Sequence, residues 1–370
     1  MSARRLIAYT HGRDDPAARF RLCQYVPRFE SAGWSVSHRP NRPERPWASP
    51  VAVPALRWLH QRAGVALRRL NRGLDIAAAA GHDVAFVSRD LLEGRTDYEA
   101  ALLRRNPRVV FDFDDAIHLG SKSAHFAWIC ERAAWVTAGN ESLARAARRH
   151  TDRVSVVATA VDPGAYPPPP PASREGPLRI GWLGSDRSIR ETLYRHAPMF
   201  AELQRALGFE LVVVTRPRRE PPDPRLAIRH IEWSPSAETR IAQWCDIGIM
   251  PLVDDEFQRG KCGCKLLQYM AAGLPVVASP VGINASLVTP DRGFLATHRD
   301  DWGAAFARLA DPERRRALGA AGRRFVEREY SLDVWFPRLL DVVVAVGRGT
   351  RPADDRGAAT APAVRATAGS

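Results

Sequence analysis

The sequence predicts an α/β protein with two doubly wound parallel sheets, each in its own domain. Short apolar runs of strand length alternate with segments of helical period along most of the chain. The alternation breaks once, at Tyr166 and the five prolines that follow it, and then resumes. The length of 370 residues also exceeds the roughly 250–300 residues at which single cores stop growing.

In the first half, Leu6–Tyr9, Ser35–His38, Asp83–Ser88, Val109–Phe113, Trp135–Ala138 and Val154–Ala158 read as strands. Their near-continuous apolar character fits strands covered on both faces. Arg19–Ser31 has helical spacing, with Phe20, Cys23, Val26 and Phe29 on one side, and Pro27 kinks or shortens it. Residues 40–54 are Pro-rich and irregular. They lead into a helix over Pro54–Ala80, which carries Trp58, Val65, Leu67 and Leu70 among Arg57, Arg62, Arg68, Arg69 and Arg72. That helix reads either as a basic amphipathic surface for anionic lipid or, more simply, as a sheet-packed helix with its arginines in water.

Tyr166–Pro171 is a stiff, extended linker. It divides the chain into a domain at 1–171 and another at 172–330. In the second, Leu178–Leu183, Leu211–Thr215, Leu226–Ile231, Asp246–Pro251, Pro275–Ser279 and Gly293–Ala296 read as strands. An Arg-rich helix over Pro312–Tyr330 precedes a last helix over Ser331–Val346. The tail at 347–370 is Ala, Arg, Gly, Pro and Thr without a periodic apolar face, and is expected to be disordered.

The formal charge is +13, and almost every cation is Arg: three lysines stand against 51 arginines. The common nucleic-acid modules are absent, so nucleic acid is not an expected partner. Five cysteines at Cys23, Cys130, Cys245, Cys262 and Cys264 suit a reducing cytosol better than a disulfide framework. Cys262-Gly-Cys264 lacks a second pair at ligand spacing, so no metal site is expected. The first residues enter the strand pattern Arg4–Thr10 without a long apolar signal core, and no apolar run reaches 18 residues.

Open parallel sheets bind ligands outside the carboxyl ends of their strands. Three loops of the second half occupy such ends: Gly184-Ser185 with Arg187, the stretch from Val253 to Cys264, and Ser279–Asn284 with Gly282. Glycine lets a phosphate approach the backbone, and a helix start offers N–H donors. Lys261 and Lys265 add compact charge to the second loop, and Gly260 allows it to turn. For any single loop, a turn glycine and a solvated charge is the plainer reading; three together point to a diphosphate. Gln268 lies one turn beyond Lys265, where it either bonds a sugar hydroxyl or decorates a surface. In the first half, Asp112, Asp114 and Asp115 end a strand. Such carboxylates catch hydroxyls, act as a base, bind metal or cap a helix. Asn140-Glu141 is either site or cap. Gly12, Arg13, Arg19 and Arg21 surround the first loop and either meet an acidic acceptor or phosphate, or are surface residues.

These motifs resemble the family 4 (group 1) glycosyltransferases. The match runs through Asp246–Leu252 and Gly260–Gly282, with support from Ile180–Ser185, Gly293–Leu295, Gly322–Glu327, Arg19–Arg21, Phe111–Ala116 and Gly139–Glu141. The resemblance implies a GT-B fold, two Rossmann-like doubly wound domains facing a cleft, with the last helix packing back on the first. It implies a metal-independent, retaining hexosyltransferase without a cofactor, moving sugar from a nucleotide-diphosphate sugar to a glycan or lipid-linked hydroxyl in polysaccharide, glycolipid or glycoconjugate synthesis. The expected location is cytoplasmic, with peripheral contact with anionic membrane at its inner face as a further reading. Catalytic roles fall to Asp114, Asp115 and Lys265. Donor contacts fall to Gly184, Ser185, Arg187, Gly260, Lys261, Lys265, Gln268 and Gly282, and acceptor-side contacts to Gly12, Arg13, Arg19 and Arg21. Gly260 and Gln268 stand where many members carry glutamates, so a catalytically inactive nucleotide-sugar-binding protein is one alternative. A nucleotide-sugar epimerase on the same fold is another.

Overall fold

The structure is a computed structural model that describes residues 3–44, 53–169, 176–216 and 220–353. Among these, 3–159 with 335–353 form one compact unit and 160–334 the other. Each unit is built on a six-stranded parallel sheet.

The first unit contains β1 (Arg4–Thr10), β2 (Trp34–Pro40), β3 (Val84–Ser88), β4 (Val109–Phe113), β5 (Trp135–Ala138) and β6 (Val154–Val156), ordered β2-β1-β3-β4-β5-β6. The register pairs Leu6 with Val36 on one side and with Val84 on the other. Strands β3, β4 and β5 are buried along their whole length, as apolar runs covered on both faces must be. The second unit contains β7 (Arg179–Leu183), β8 (Glu210–Thr215), β9 (Ile228–Glu232), β10 (Ile247–Met250), β11 (Val276–Ala278) and β12 (Gly293–Leu295), ordered β12-β11-β10-β7-β8-β9. Chain direction across each sheet reverses at one point, between β1 and β3 in the first and between β7 and β10 in the second. Connections on the two sides of that point leave in opposite directions and open a crevice at the strand ends.

Helices differ from expectation where proline and local contacts intervene. The segment read as one helix over Arg19–Ser31 is two, Pro16–Arg21 and Val26–Ser31, separated by a short 3₁₀ turn. Pro27 sits in the first turn of the second helix, where its missing N–H costs nothing. The basic helix runs Pro54–Ala77. The last helix runs Leu332–Arg348 and continues past Val346. Its Phe336 ring lies 6.0 Å from Tyr25 and 5.1 Å, edge-on, from Phe29, which ties this helix to the first unit. Arg351 pairs with Asp152 at 2.8 Å, so the chain at 347–353 is built into the unit rather than loose. Residues 354–370 lie outside the described residues.

Residues 160–169 group with the second unit, although the sequence reading assigned them to the first. The reason is Arg323, which donates to the carbonyls of Tyr166 at 2.7 Å and Pro163 at 3.0 Å. The expected boundary at 171/172 itself falls in 170–175, outside the described residues.

The second unit's core packs Phe200 edge-on and Phe306 tilted against Trp302, with centroids 5.3 and 6.0 Å away. The helix Cys264–Ala271 is wedged between that unit's sheet and the helix Pro312–Glu329. Gly319 makes the last contact possible, since a Cβ there would stand 1.9 Å from the carbonyl oxygen of Gly273. Gly319→Ala is therefore expected to cost about 1–3 kcal/mol, the range for overpacking a fitted interior. Urea unfolding checks this, and an unchanged midpoint would mean that the two helices do not meet this closely.

Candidate functional site

The switch point of the second sheet gathers most of the residues singled out in that half. Gly184 follows β7, and a Cβ there would lie 2.6 Å from the Trp182 ring and 2.8 Å from Cε of Lys265. Its role is clearance for that lysine. Ser185 caps the short helix Asp186–Glu191, its hydroxyl accepting from the Ser188 N–H at 3.2 Å. Lys265 Nζ donates to the Ser188 hydroxyl at 3.0 Å and stands 5.2 Å from the centre of the buried Trp182 ring. An ammonium over an indole face is held by the ring quadrupole without losing its charge.

The stretch read as a loop from Val253 to Cys264 contains a helical turn, Glu256–Arg259, capped by the Asp255 carboxylate. The Phe257 ring on that turn takes Lys261 Nζ at 5.0 Å and the Arg187 guanidinium at 5.7 Å. Arg187 also pairs with Glu191 at 2.6 Å. Gly184, Ser185, Arg187, Lys261 and Lys265 thus share one patch, joined through two aromatic rings and Ser188. The left-handed backbone here belongs to Gly263 (φ 68°) and Gly282 (φ 56°), whereas Gly260 has an ordinary φ of −78°. A Cβ on Gly282 would lie 2.5 Å from the Arg259 carbonyl oxygen, so the third loop is pressed against the second.

Gln268 is placed differently from the sugar contact expected of it. It is buried, and its amide donates to the Tyr166 hydroxyl at 3.1 Å. Tyr166, read only as the start of a linker, is the reason.

The first unit has a second cluster at its own switch point. Arg89, just after β3, is the one non-glycine residue with left-handed backbone among the described residues, at φ 68°. Its guanidinium donates to Asp114 at 2.8 and 3.1 Å and to Asp115 at 3.0 Å. Burial works to raise the Asp114 carboxyl's pKa, but the charge of Arg89, with Arg21 behind it, outweighs burial and holds it below the usual range. The next residue, Asp90, bonds His11 after β1 and pairs with Lys122 at 3.3 Å; Lys122 reaches Glu93 at 3.0 Å. Against the upward push of burial, His11 and then Lys122 hold Asp90 ionised well into acid.

Arg21 is not an open acceptor contact. It is buried, donates to both oxygens of Asp112 at 2.5 and 3.1 Å and to the Val157 carbonyl at 2.5 Å. Thr137 completes Asp112 at 2.7 Å, so that carboxylate is also internal. Gly12 is covered by Glu44, which accepts from the Arg13 backbone N–H at 2.9 Å, whereas the Arg13 side chain is exposed. Arg19 lies 5.1 Å from the Phe20 ring. Asn140 caps its helix, accepting from Leu143 N at 2.9 Å. All five cysteines are free. Among the described residues, no group of three or more His, Cys, Asp or Glu is arranged to hold a metal ion.

Sequence reasoning missed Arg89, His11, Asp90, Trp182, Ser188 and Phe257. A signal existed for the first cluster: Lys122 is the third lysine, and it too lies at a strand-end cluster.

Residues 180–311 match the family model described as "Glycosyl transferases group 1". Over 84 residues the chain is 36% identical to a GDP-mannose-dependent monoacylated alpha-(1-6)-phosphatidylinositol monomannoside mannosyltransferase of Corynebacterium glutamicum; the match spans 22% of each chain. Among solved structures, a sucrose-phosphate synthase from Thermosynechococcus elongatus has TM-score 0.65 at 17% identity, covering 93% of this chain and 98% of that one. A glycosyltransferase from Rickettsia africae gives 0.66 at 11%, covering 94% and 99%. HepE from Anabaena, in complex with UDP and glucose, gives 0.63 at 12%, covering 93% and 100%. The fold is GT-B, and the likeness to group 1 glycosyltransferases is confined to residues 180–311.

Arg89→Gly removes the clamp while suiting the backbone, relieving roughly 1 kcal/mol of strain. A carboxyl held below its unfolded value contributes stability above about pH 4 and loses it as pH falls through the folded value. Without Arg89, burial dominates and the Asp114 pKa rises, so this contribution disappears at neutral pH and acid costs the variant less. Urea midpoints measured from neutral pH into acid test this; parallel profiles for the two proteins would refute the clamp. Arg21→Ala leaves the Asp112 charge buried and is expected to cost about 3–5 kcal/mol. A variant as stable as the parent would return Arg21 to the binding candidates.

Proposed function

We propose that this protein transfers a sugar from a nucleoside-diphosphate sugar to a hydroxyl acceptor, with retention at the anomeric carbon. The carrying observation is that Lys265, Lys261 and Arg187 collect at the β7/β10 switch point, inside the segment matching the glycosyltransferase model. In such transfer the bond from the anomeric carbon to the diphosphate oxygen breaks and its electron pair leaves with the phosphate. A new bond forms to the acceptor oxygen, whose proton departs. Cations already in place where charge develops lower that barrier without rearranging. Lys265, steadied by Trp182 and Ser188, is positioned for this role, with Lys261 and Arg187 beside it. Three cations in one patch supply the neutralisation that a bound metal would otherwise give, so the reaction is assigned no metal and no cofactor. Asp114 and Asp115, kept together by Arg89, are assigned to sugar or acceptor hydroxyls.

The relative acting on an acylated phosphatidylinositol mannoside supports a glycan or lipid-linked acceptor. The HepE complex with UDP and glucose supports a nucleotide-sugar donor. Free cysteines and a nucleotide-sugar substrate fit work in the cytosol.

Thermal shift against a panel of nucleotide sugars identifies the donor. Lys265→Ala is then expected to weaken donor binding on the order of 10- to 100-fold, the worth of one charge-assisted hydrogen bond. Lys265→Arg restores it only in part, because a planar fork does not replace a point charge in the space beside Gly184. Turnover is expected to survive chelation by EDTA. Donor affinity and turnover untouched by Lys265→Ala would remove the phosphate site. Binding with no transfer to any acceptor would favour a binding protein, and isomerisation of the free nucleotide sugar an epimerase.

A further inference from the structure

The C-terminal half of the helix Pro54–Ala77 is mounted with Arg72 and Asp75 inward, while residues 54–60 are exposed at every position. Arg72 is 1% exposed and donates to Asn41 at 2.7 Å and to the carbonyls of Arg39 and Thr10 at 3.0 Å. Arg68 bonds the Pro43 carbonyl at 2.9 Å, and the buried Asp75 accepts from Arg42 at 2.8 Å. The side turned outward is apolar. Leu56, Leu59, Leu67, Leu70 and Leu74 are each between 50% and 62% exposed. Steps of three, four, seven and eight residues place them on one stripe of the helix. Of the nine large exposed hydrophobic residues in the described chain, seven belong to this helix and its N-cap, so the apolar exposure is concentrated on one element. An exposed patch of this extent marks an interaction surface.

We propose that this leucine face docks on the surface of an anionic lipid bilayer, the helix axis lying in the plane of the interface. Charge selects that occupant. From Val53 to Leu74 there is no acidic residue. Arg57, Arg62 and Arg69 are exposed, about 100–120° around the helix from the leucines and on both sides of them. The Arg62 guanidinium covers the Trp58 ring at 4.6 Å, an aromatic–cation pair suited to the headgroup level. A second copy of the helix would set arginine against arginine with no carboxylate to pair. A bilayer carrying phosphate headgroups offers hydrocarbon for the leucines and negative charge for the flanks. No helix among the described residues is long and apolar enough to cross a membrane, so the contact is peripheral. This inference does not rest on sugar transfer, since it is read without substrate.

The test is co-sedimentation of the full chain with phosphatidylcholine vesicles, with and without phosphatidylglycerol. Binding is expected only to the anionic vesicles, and to weaken with salt. A triple Leu59→Asn, Leu67→Asn, Leu70→Asn variant changes only exposed side chains and should melt like the parent. It is expected to lose partitioning by at least about tenfold. Each of Arg57→Ser, Arg62→Ser and Arg69→Ser should lose about fivefold, the worth of one cation near such a surface. Equal binding to neutral vesicles, or binding unmoved by the leucine variant, would overturn the proposal. So would a dimer in sedimentation velocity that the leucine variant abolishes while vesicles are ignored, which would assign the face to a second copy.

Discussion

The seating of the helix Cys264–Ala271 on the second sheet is the constraint from which the site follows. The Tyr269 hydroxyl accepts the Leu183 N–H at 2.8 Å. The Tyr269 ring occupies the space over Gly248, where a Cβ would come within 2.2 Å of it. One buried phenol therefore ties the helix to β7 and β10 at once, the two strands that flank the switch point. Lys265, one turn earlier on the same helix, is delivered onto Trp182 and Ser188 as a consequence. Any change that lifts Tyr269 from the sheet also moves the ammonium away from the strand end.

Parallel strands buried on both faces must be written as apolar runs, and alternation with helical period leaves few topologies open. For that reason the central strands were legible, including the short β11, and the alternation with helices located the partly buried edge strands such as β2 and β9. Helix limits were less so, because they depend on caps and proline placement that act within one turn. The cationic patch at 184–187 and 261–265 could be read because lysines are rare and fall beside glycines at strand ends. Arg89 could not. Its significance comes from an unusual backbone angle and from carboxylates 25 and 26 residues away, and it is written in the commonest cation of the chain.

Gln268 and Arg21 teach the same point in opposite halves. Both have side chains suited to a ligand, and both are consumed by internal partners, Tyr166 and Asp112. Spacing along a helix tells which residues share a face, but not which face the fold buries. The Pro54–Ala77 helix shows this again: its period is amphipathic, yet in its C-terminal half the polar side is the one that packs, because Asn41, Thr10 and Arg39 offer oxygen acceptors there.

The scarcity of lysine has a practical side. The side-chain amines are Lys122, Lys261 and Lys265, each engaged with a carboxylate, hydroxyl or ring at a strand-end cluster. Arginine does not acylate under conditions that modify amines. An amine-selective reagent consequently addresses the α-amino group and these two clusters and little else, which makes peptide-resolved acylation rates a direct reporter of whether each cluster is open or occupied.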